Sequence, residues 1–429
     1  MTKTYKAIVG AAFSFLLIYA VFPKPLHGQG VPVTRFDRMP PAPAFLGQTR
    51  APAPTKPSSY SVETIATGLD APWSLAFLPD GRMLVTERAG RMHIIDADGK
   101  ISAPLSGLPA IRGFRDKGLT DVVLDSDFEQ NRLIYFTYYA LPEGEPEGLA
   151  VPAAFESWSA LSPSEQANRP FGIFRVARAR LAKDGSGLEN LEILSQTGGR
   201  RLVLGPDDTL FATTSGAQST QNSLISEAQD LTALGGKVHR IYRDGSIPED
   251  NPFIEHAGAL ASIFSLGHRD PEGAAINPST GELWTIEHGP RGGDELNIIR
   301  VGKNYGWPVI SYGNEYTTEP IGEGLRAKEG MEQPVYFWVP SIAPSGLLFY
   351  TGDLFPDWRG DLFVGALAGE HLVRLVLDGD RVVAEERLLV ERGARIRDVR
   401  QGPDGALYLL TSVRGPASGS AELLRVVPE

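Results

Sequence analysis

Residues 278–308 read PSTGELWTIEHGPRGGDELNIIRVGKNYGWP and contain the pattern that decides the fold. A Pro-Ser-Thr-Gly turn precedes the strand-like run ELWTIE, and a Gly-rich turn precedes the apolar run LNII. Short apolar runs bounded by Gly and Pro turns are typical of antiparallel strands joined by hairpins. The stretch therefore predicts two neighbouring strands of a β-sheet.

The same arrangement, a turn followed by an apolar strand, occurs six times along the chain. Where no insertion intervenes, the copies are about 46 residues apart, a period typical of four-stranded propeller blades. Dense strand and turn signals with few helical windows predict an all-β, six-bladed β-propeller in residues 60–429. A seven-bladed ring or a sandwich is the structural alternative. The six turns begin at Pro79, Asp125, Pro206, Pro278, Pro356 and Pro403.

The segment from Tyr60 to Ala66 is strand-like and stands apart from the six repeats. We expect it to close the ring by pairing with the last strand, near Leu423 to Val427. Residues 142–169 and 217–234 are expected to be insertions between strands. Because loops at one face of a propeller surround its central channel, we expect the chemistry at that face.

The N-terminus predicts export. Lys3 and Lys6 precede an apolar run from Ala7 to Phe22, so residues 1–22 are interpreted as a signal peptide or an N-terminal anchor. The run is short for a membrane span, but no clear cleavage site follows it, and an uncleaved anchor stays as the alternative. Residues 23–59 are predicted to be a Pro-rich linker. A periplasmic or secreted protein, anchored to the inner membrane if the leader is retained, follows from this interpretation.

Composition restricts the partners and the chemistry. The chain has 52 Asp and Glu against 41 Lys and Arg, a formal net charge of -11, which argues against a nucleic-acid partner. It has no cysteine, which excludes disulfides and thiolate metal sites. A nucleic-acid partner and thiolate chemistry are therefore not expected.

The turn before LNII combines glycines with two acidic residues. Asp294 and Glu295 place hard oxygen ligands beside Gly292 and Gly293, where backbone carbonyls can face outward, and this is a favourable environment for Ca²⁺. The alternative is an ordinary hairpin with a charged end. Trp307, which follows in the next turn, is an unusual residue for a simple connection.

An ordered series of motifs resembles a known family. The series includes GLDAPWSLAFLPDGRMLVTERAGRM, SIFSLGHRDPEGAAINPSTGELWTIEHGPRGGDELNIIRVGKNYGWP, SIAPSGLLFYTGD and RIRDVRQGPDGALYLLT. It is similar to the soluble PQQ-dependent aldose sugar dehydrogenases, the glucose/sorbosone dehydrogenase family of six-bladed propellers. The resemblance implies a quinoprotein that binds PQQ and Ca²⁺, oxidises an aldose to its lactone and passes electrons to an external acceptor.

The resemblance also implies a metal site. The family holds Ca²⁺ against PQQ through backbone carbonyls at a Gly-Pro, which falls here on Gly289 and Pro290. A second, structural Ca²⁺ in some members would use Asp294, Glu295 and Tyr305.

The expected cofactor contacts come from arginines. Arg395 and Arg397 match the residues that neutralise the quinone carboxylates, and Arg269 matches the loop arginine beside the quinone. Guanidinium suits this task because it stays charged and binds carboxylate through two hydrogen bonds. His288, next to the Gly-Pro, is expected to line the cofactor pocket, and a propeller would bring both places to one mouth.

The family's catalytic base is missing from its usual place. The histidine that removes the sugar hydroxyl proton would fall on Thr197, and a hydroxyl cannot act as a general base as imidazole does. A lysine expected near the cofactor is replaced by Ala368, and a Gly-Asp turn is replaced by residues 215–217.

Three amides typical of the family are acids in this chain: Asp116, Asp270 and Glu272. Each carboxylate near the cofactor would cost about 1–4 kcal/mol at roughly 4 Å, depending on the local dielectric. Protonation, or pairing with Lys117 or Arg291, would reduce that cost. Asp116 or Glu272 could replace the base if desolvated, so the catalytic candidates are Arg269, Asp116 and Glu272.

Three functions are compatible with these residues. The first is PQQ-dependent oxidation of an aldose. The second is a non-catalytic propeller that binds a ligand, Ca²⁺ or a partner protein at its mouth. The third is hydrolysis with Ca²⁺ in the channel, which requires the three acids to converge. Fold alone does not choose among them.

Overall fold

The structure is a computed structural model. It describes residues 41–113, 117–140, 172–216, 227–413 and 419–429. Several regions named above lie outside the described residues: the leader 1–22, the first part of the linker, the insertion 142–169, residues 217–226 of the second insertion, and Asp116.

The predicted all-β, six-bladed β-propeller is confirmed. The described residues form six sheets, in which neighbouring strands pair antiparallel. Blades 1 to 3 contain β2 (Pro72–Phe77), β3 (Met83–Glu87), β4 (Arg91–Ile95); β5 (Leu119–Leu124), β6 (Leu133–Ala140), β7 (Ile173–Leu181), β8 (Leu188–Ser195); and β9 (Leu202–Leu204), β10 (Thr209–Thr213), β11 (Lys237–Tyr242), β12 (Ile263–Leu266).

The second half of the ring repeats this arrangement, and the helices are short. One α-helical turn, α1 (Phe128–Asn131), and three 3-10 turns (Glu227–Gln229, Pro356–Trp358 and Val390–Arg392) connect strands in the described residues. Blades 4 to 6 contain β13 (Pro271–Ile276), β14 (Leu283–Glu287), β15 (Asp294–Ile299), β16 (Tyr336–Trp338); β17 (Pro344–Phe349), β18 (Leu362–Ala366), β19 (His371–Asp378), β20 (Arg381–Leu388); and β21 (Arg395–Gln401), β22 (Leu407–Ser412), β23 (Ala421–Val427) with β1 (Ser61–Leu69).

The ring closes as the sequence predicted. β1 pairs antiparallel with β23, from Ser61 opposite Val427 to Leu69 opposite Ala421. The first strand of the chain thus becomes the outer strand of the last blade. This pairing, with irregularities between Thr64 and Ala66 and between Thr67 and Leu69, joins the two ends of the propeller within blade 6.

The first strand of each blade lies at the channel. β2, β5, β9, β13, β17 and β21 contact one another in that order around the ring. Apolar side chains of adjacent blades interdigitate outside them, and Trp284 of blade 4 packs edge-to-face on Phe349 of blade 5. The apolar side chains thus lie between the blades, whereas polar side chains near the start of the six inner strands meet in the channel.

The described part of the linker lies along the propeller, and we call residues 41–59 the strap. Gln48 is fully buried and its amide donates to the Pro334 carbonyl at 2.8 Å. Further along, Ser58 binds the Glu386 carboxylate. The strap thereby connects blades 4 and 5.

The described residues include no helix with the length and hydrophobicity needed to span a membrane.

Candidate functional site

The floor of the channel is a buried group of opposite charges. Arg201 precedes β9 and lies 3.0 Å from Asp398 of β21 and 3.4 Å from Asp121 of β5. Arg400 reaches the same two carboxylates. Burial lowers the pKa of Arg201, but attraction by Asp398 and Asp121 outweighs it and raises the pKa overall. Two cations and two anions balance here.

Above the floor lies a second group, which we call the ion-pair cluster: Arg200, Asp270, Glu272 and Arg397. Arg397 Nη1 is 3.0 Å from Glu272 Oε2, and Arg200 Nε is 3.4 Å from Glu272 Oε1. Arg200 Nε also lies 3.3 Å from Asp270 Oδ1. The side chains are 4–13% exposed. The four residues come from blades 3, 4 and 6, so their contacts span the channel.

An indole ring supports the cluster from below. The Arg397 guanidinium lies 4.1 Å from the centre of the Trp73 ring, and that of Arg200 lies 5.7 Å away. Burial lowers the pKa of Arg397 to about 10, against the attraction of Glu272. Arg397 therefore stays protonated at neutral pH, and its position is fixed by both the ring and the carboxylate.

His288 completes the polar mouth beside the cluster. One ligand atom each from Asp270, Glu272 and His288 lie within 4.8 Å of one another. The Nε2 atom of His288 is 2.8 Å from the Pro344 carbonyl, which can only accept, so Nδ1 faces Asp270 Oδ2 at 3.9 Å. Three groups of metal-ligand type converge here, but both carboxylates already contact guanidinium groups, which would repel a cation at the same point.

The Gly289 turn is held by one buried carboxylate. Asp294 accepts from the backbone N–H groups of Gly289, Ile342 and Ala343 at 2.7–2.8 Å and from the Ser341 hydroxyl at 2.7 Å. Burial raises the pKa of Asp294, and these donors oppose the shift. Its contacts are thus directed to the loop between blades 4 and 5.

Glycine is required at the turn itself. A Cβ atom on Gly289 would lie 2.1 Å from the Gly292 carbonyl oxygen. The chain therefore folds back on itself in a way that a larger residue would prevent. The turn lines a small recess together with Arg269, Glu287, His288, Glu295, Tyr305 and Trp307.

Two acids face each other in this recess. Glu287 and Glu295 are opposite residues of β14 and β15, and Asn297 donates to both. Burial, and then repulsion by Glu287, raise the pKa of Glu295 well above its usual value. Glu287 instead accepts from the Arg269 backbone N–H at 2.5 Å and lies 3.1 Å from His268 Nδ1.

Tyr305, expected as a metal ligand, binds backbone groups. Its hydroxyl donates to the Ile298 carbonyl at 2.5 Å and accepts from the Arg300 N–H at 2.9 Å. Its ring stacks on His268 at 4.6 Å. The phenol thus fixes the base of the recess. Among the expected metal ligands, Glu295 differs because its carboxylate accepts a hydrogen bond from the side-chain amide of Asn297.

The remaining expected arginines lie at the same end of the channel. Arg269 Nη1 donates to the His288 carbonyl at 2.8 Å, and its guanidinium lies 5.3 Å from the Trp307 ring. Its buried Nε atom has no hydrogen-bond partner among the residues that the structure describes. Arg395 Nη1 donates to the Leu367 carbonyl at 2.7 Å, beside Ala368. The Gly289 turn and the Arg395 and Arg397 pair therefore share one mouth.

Thr197 lies in a buried turn before the double arginine. Its hydroxyl is 2.9 Å from that of Ser195, and the residue is 5% exposed. The other strand histidines are similarly local: His239 binds Ser262 and the Leu234 carbonyl, and burial lowers its pKa to about 4. The hydroxyl of Thr197 and the imidazole of His239 therefore make local hydrogen bonds.

Arg200 and Arg201 were not predicted as site residues from the sequence. Their signal was present, because two adjacent arginines before the apolar strand Leu202–Leu204 are unusual at the start of an inner strand. Lys117 and Arg291 were considered as partners for the acids that replace the family's amides. For Glu272 the structure shows the partners Arg397 and Arg200. The Lys117 ammonium group lies over the Tyr139 ring.

Fold and site together define a six-bladed propeller with a polar small-molecule mouth at one end of its channel. The family described as Glucose / Sorbosone dehydrogenase matches residues 69–424. The chain belongs to this family.

Several relatives carry related names. The chain is 41% identical to aldose sugar dehydrogenase YliI of Escherichia coli over 374 residues, which cover 87% of this chain and 94% of that one. The apo-form structure of the soluble Escherichia coli aldose sugar dehydrogenase aligns with a TM-score of 0.74 and 38% identity, over 86% of this chain and all of that one. The PQQ-bound aldose sugar dehydrogenase of Streptomyces coelicolor aligns with a TM-score of 0.65 and 27% identity, over 87% and 99%.

The resemblance implies a PQQ site, but the charged residues at the mouth of this chain do not fit PQQ. PQQ is a tricarboxylate, and Arg397, which would neutralise one of its carboxylates, is already paired with Glu272 at 3.0 Å. Arg200 is paired with Asp270 and Glu272 in the same way. An incoming carboxylate would have to displace a buried internal one and leave it without its partner, a loss of several kcal/mol.

Proposed function

We propose that this protein binds a neutral, polyhydroxylated molecule of the aldose class at the propeller mouth and does not oxidise it with PQQ. The observation that carries the proposal is the position of Glu272 between Arg397 and Arg200, at 3.0 and 3.4 Å. This arrangement neutralises the guanidinium groups from within. The family's sugar class is thus combined with a mouth in which Arg397 and Arg200 already have internal carboxylate partners.

The charges of the mouth favour a neutral ligand. Within the ion-pair cluster two carboxylates offset two guanidinium groups, so Arg397 and Arg200 attract a polycarboxylate less strongly than unpaired arginines would. A sugar instead needs alternating hydrogen-bond donors and acceptors. Asp270 and His288, whose side chains are 13% and 19% exposed, offer these at the open side of the cluster.

Arg269 provides the directed donor. Within the described part of the chain its buried Nε atom has no hydrogen-bond partner, while Nη1 donates to the His288 carbonyl. A buried donor without a partner carries a free-energy cost, which a ligand hydroxyl would remove. The nearby Trp307 ring adds an apolar face beside this donor. We therefore assign Arg269 and Trp307 to ligand binding rather than to redox chemistry.

The proposed loss of oxidation rests on the missing base. Thr197 offers a hydroxyl that is engaged with Ser195. Both oxygens of Glu272 face guanidinium groups, which places this carboxylate poorly for taking a proton from a ligand. The second candidate base, Asp116, lies outside the described residues.

Hydrolysis is the second candidate function. It is favoured by the convergence of Asp270, Glu272 and His288 within 4.8 Å, which the sequence could not establish. Metal-dependent hydrolysis of a sugar lactone would require a divalent cation at these three groups. Release of acid from a lactone, abolished by a chelator and restored by Ca²⁺, would favour this function over simple binding.

Calorimetry with a panel of aldoses tests the binding proposal. We expect wild-type protein to bind at least one aldose, and Arg269→Met to weaken binding about tenfold, because one charged donor contributes roughly 1.5 kcal/mol or more. Arg240→Met, which removes a guanidinium paired with exposed Asp250, is the matched control and should bind as wild type does. Absence of binding across the panel would contradict the proposal.

A further inference from the structure

We infer that Glu272 and Asp270 determine which ligand charge the mouth accepts, because they act as internal counter-ions that exclude small polycarboxylates from Arg397 and Arg200. The inference deepens the proposed function and rests on it for the identity of the mouth. It assigns to the two acids a specificity role that is separate from the binding of a sugar.

The contacts place each acid where an anionic ligand would bind. Glu272 divides its two oxygens between Arg397 and Arg200, and Asp270 shares Arg200. Glu272 is 4% exposed and joins strands 125 residues apart in the sequence. Each acid therefore forms an ion pair with a guanidinium group that would otherwise face the open end of the channel.

The arginines would keep their positions without the acids. Arg397 packs on Trp73 at 4.1 Å and also donates to the Ser345 hydroxyl at 3.3 Å. Arg200 lies over the same ring. These contacts do not involve the carboxylates, so they continue to hold the two guanidinium groups when each acid is replaced by an amide.

Charge balance then predicts the consequence. The channel floor pairs Arg201 and Arg400 with Asp121 and Asp398, and it has no spare carboxylate. Conversion of both mouth acids to amides removes the carboxylate charges that contact Arg397 and Arg200. A buried unpaired charge is strongly unfavourable, and an anion from solution is the group that relieves it.

A purely structural role for the acids predicts something different. Buried ion pairs are weak contributors to net stability, and removal of one partner usually destabilises the fold. In that case the amide variants would unfold more easily but would not gain affinity for anions. Ligand binding, measured apart from stability, separates the two roles.

The experiment compares three proteins with PQQ alone as the probe, by equilibrium dialysis and by quenching of tryptophan fluorescence. They are wild type, Asp270→Asn with Glu272→Gln, and Asp250→Asn with Glu192→Gln. The last is the matched control, because it changes net charge equally by removing acids from surface pairs with Arg240 and Arg178.

We expect the mouth variant to bind PQQ at least about tenfold more tightly than wild type, a difference of roughly 1.4 kcal/mol. Added salt should weaken that binding, and the control should match wild type. Equal affinity of mouth variant and wild type, or an equal gain in the control, would overturn the inference.

Should the double variant fail to fold, Glu272→Gln alone serves the same purpose, because Asp270 still balances one guanidinium. It should gain affinity for PQQ in the same direction, and no gain in a folded single variant would refute the role of Glu272. Aldose binding by wild type is measured separately. Its loss counts against the proposed function, whereas the ratio of PQQ affinities decides the inference.

Discussion

The carboxylate of Glu272 lies 3.0 Å from the guanidinium of Arg397 across the central channel, in side chains that are 4% and 10% exposed. Glu272 belongs to the inner strand of blade 4 and Arg397 to that of blade 6. The contact therefore closes the channel between blades that are not adjacent. It also gives Arg397 an internal partner at the place where an anionic ligand would otherwise bind.

The floor of the channel should tolerate the loss of a charge poorly. Arg201→Met leaves Asp121 and Asp398 buried with fewer counter-charges, and we expect it to lower the free energy of unfolding by about 3–5 kcal/mol. Urea denaturation measures the change. Arg381→Met, which removes an exposed pair with Asp378, should cost less than about 1 kcal/mol. Similar costs for both would contradict the account of the floor.

Asp294 should act on the loops it holds. Asp294→Asn exchanges a carboxylate that accepts from four groups for an amide with a single acceptor oxygen. We expect a loss of about 2–4 kcal/mol, because each unsatisfied buried donor costs roughly 1–3 kcal/mol. Hydrogen exchange should accelerate at Gly289, Ile342 and Ala343, whose N–H groups bind this carboxylate. Unchanged protection at those three amides would show that Asp294 does not hold the turn.

The stability of blade 1 should depend on pH through His93. Its Nε2 lies 3.5 Å from Glu87, and this contact raises the pKa of His93 although burial lowers it. A folded-state pKa above the unfolded value means that the stabilisation is fully present below about pH 6.5 and is lost as pH rises through the folded pKa.

We therefore expect the free energy of unfolding to fall, as the pH rises above about 6.5, more steeply in wild type than in His93→Gln. Urea titrations at several pH values measure the difference. His256→Gln, at an exposed position, should retain the wild-type slope. Parallel curves for wild type and His93→Gln would rule out this contribution.

The strap should stabilise the propeller. A chain of residues 41–429 retains Gln48, which is buried and hydrogen-bonded to Pro334, whereas a chain of residues 60–429 lacks it. We expect the shorter chain to lose about 3 kcal/mol or more, since several buried hydrogen bonds of roughly 1 kcal/mol each disappear. Calorimetric melting of both chains decides this, and equal melting temperatures would mean that the strap adds nothing.

The repeat made the architecture predictable. A turn before an apolar strand, at a period of about 46 residues, specifies a blade, and a lone strand at Tyr60 to Ala66 specifies the closure with Leu423 to Val427. Both signals are local in the sequence. The hydrophobic alternation within each strand then sets which face packs on the next blade.

The pairing of charges at the mouth could not be predicted in this way. Glu272 and Arg397 are 125 residues apart, and their contact depends on how two inner strands face each other across the channel. Asp294 is similar, because its partners at Ser341 to Ala343 come from the next blade. A single sequence identifies the acidic and basic residues but not which of them neutralise one another.

Titration of the purified wild-type protein with PQQ and Ca²⁺, followed by cofactor absorbance and aldose-dependent dye reduction, tests the central claim most directly. The claim is that the mouth is neutralised from within by Glu272 and Asp270. We expect no saturable PQQ binding at micromolar concentrations and no dye reduction with any aldose that the protein binds. Tight PQQ binding with rapid oxidation of an aldose would contradict the account.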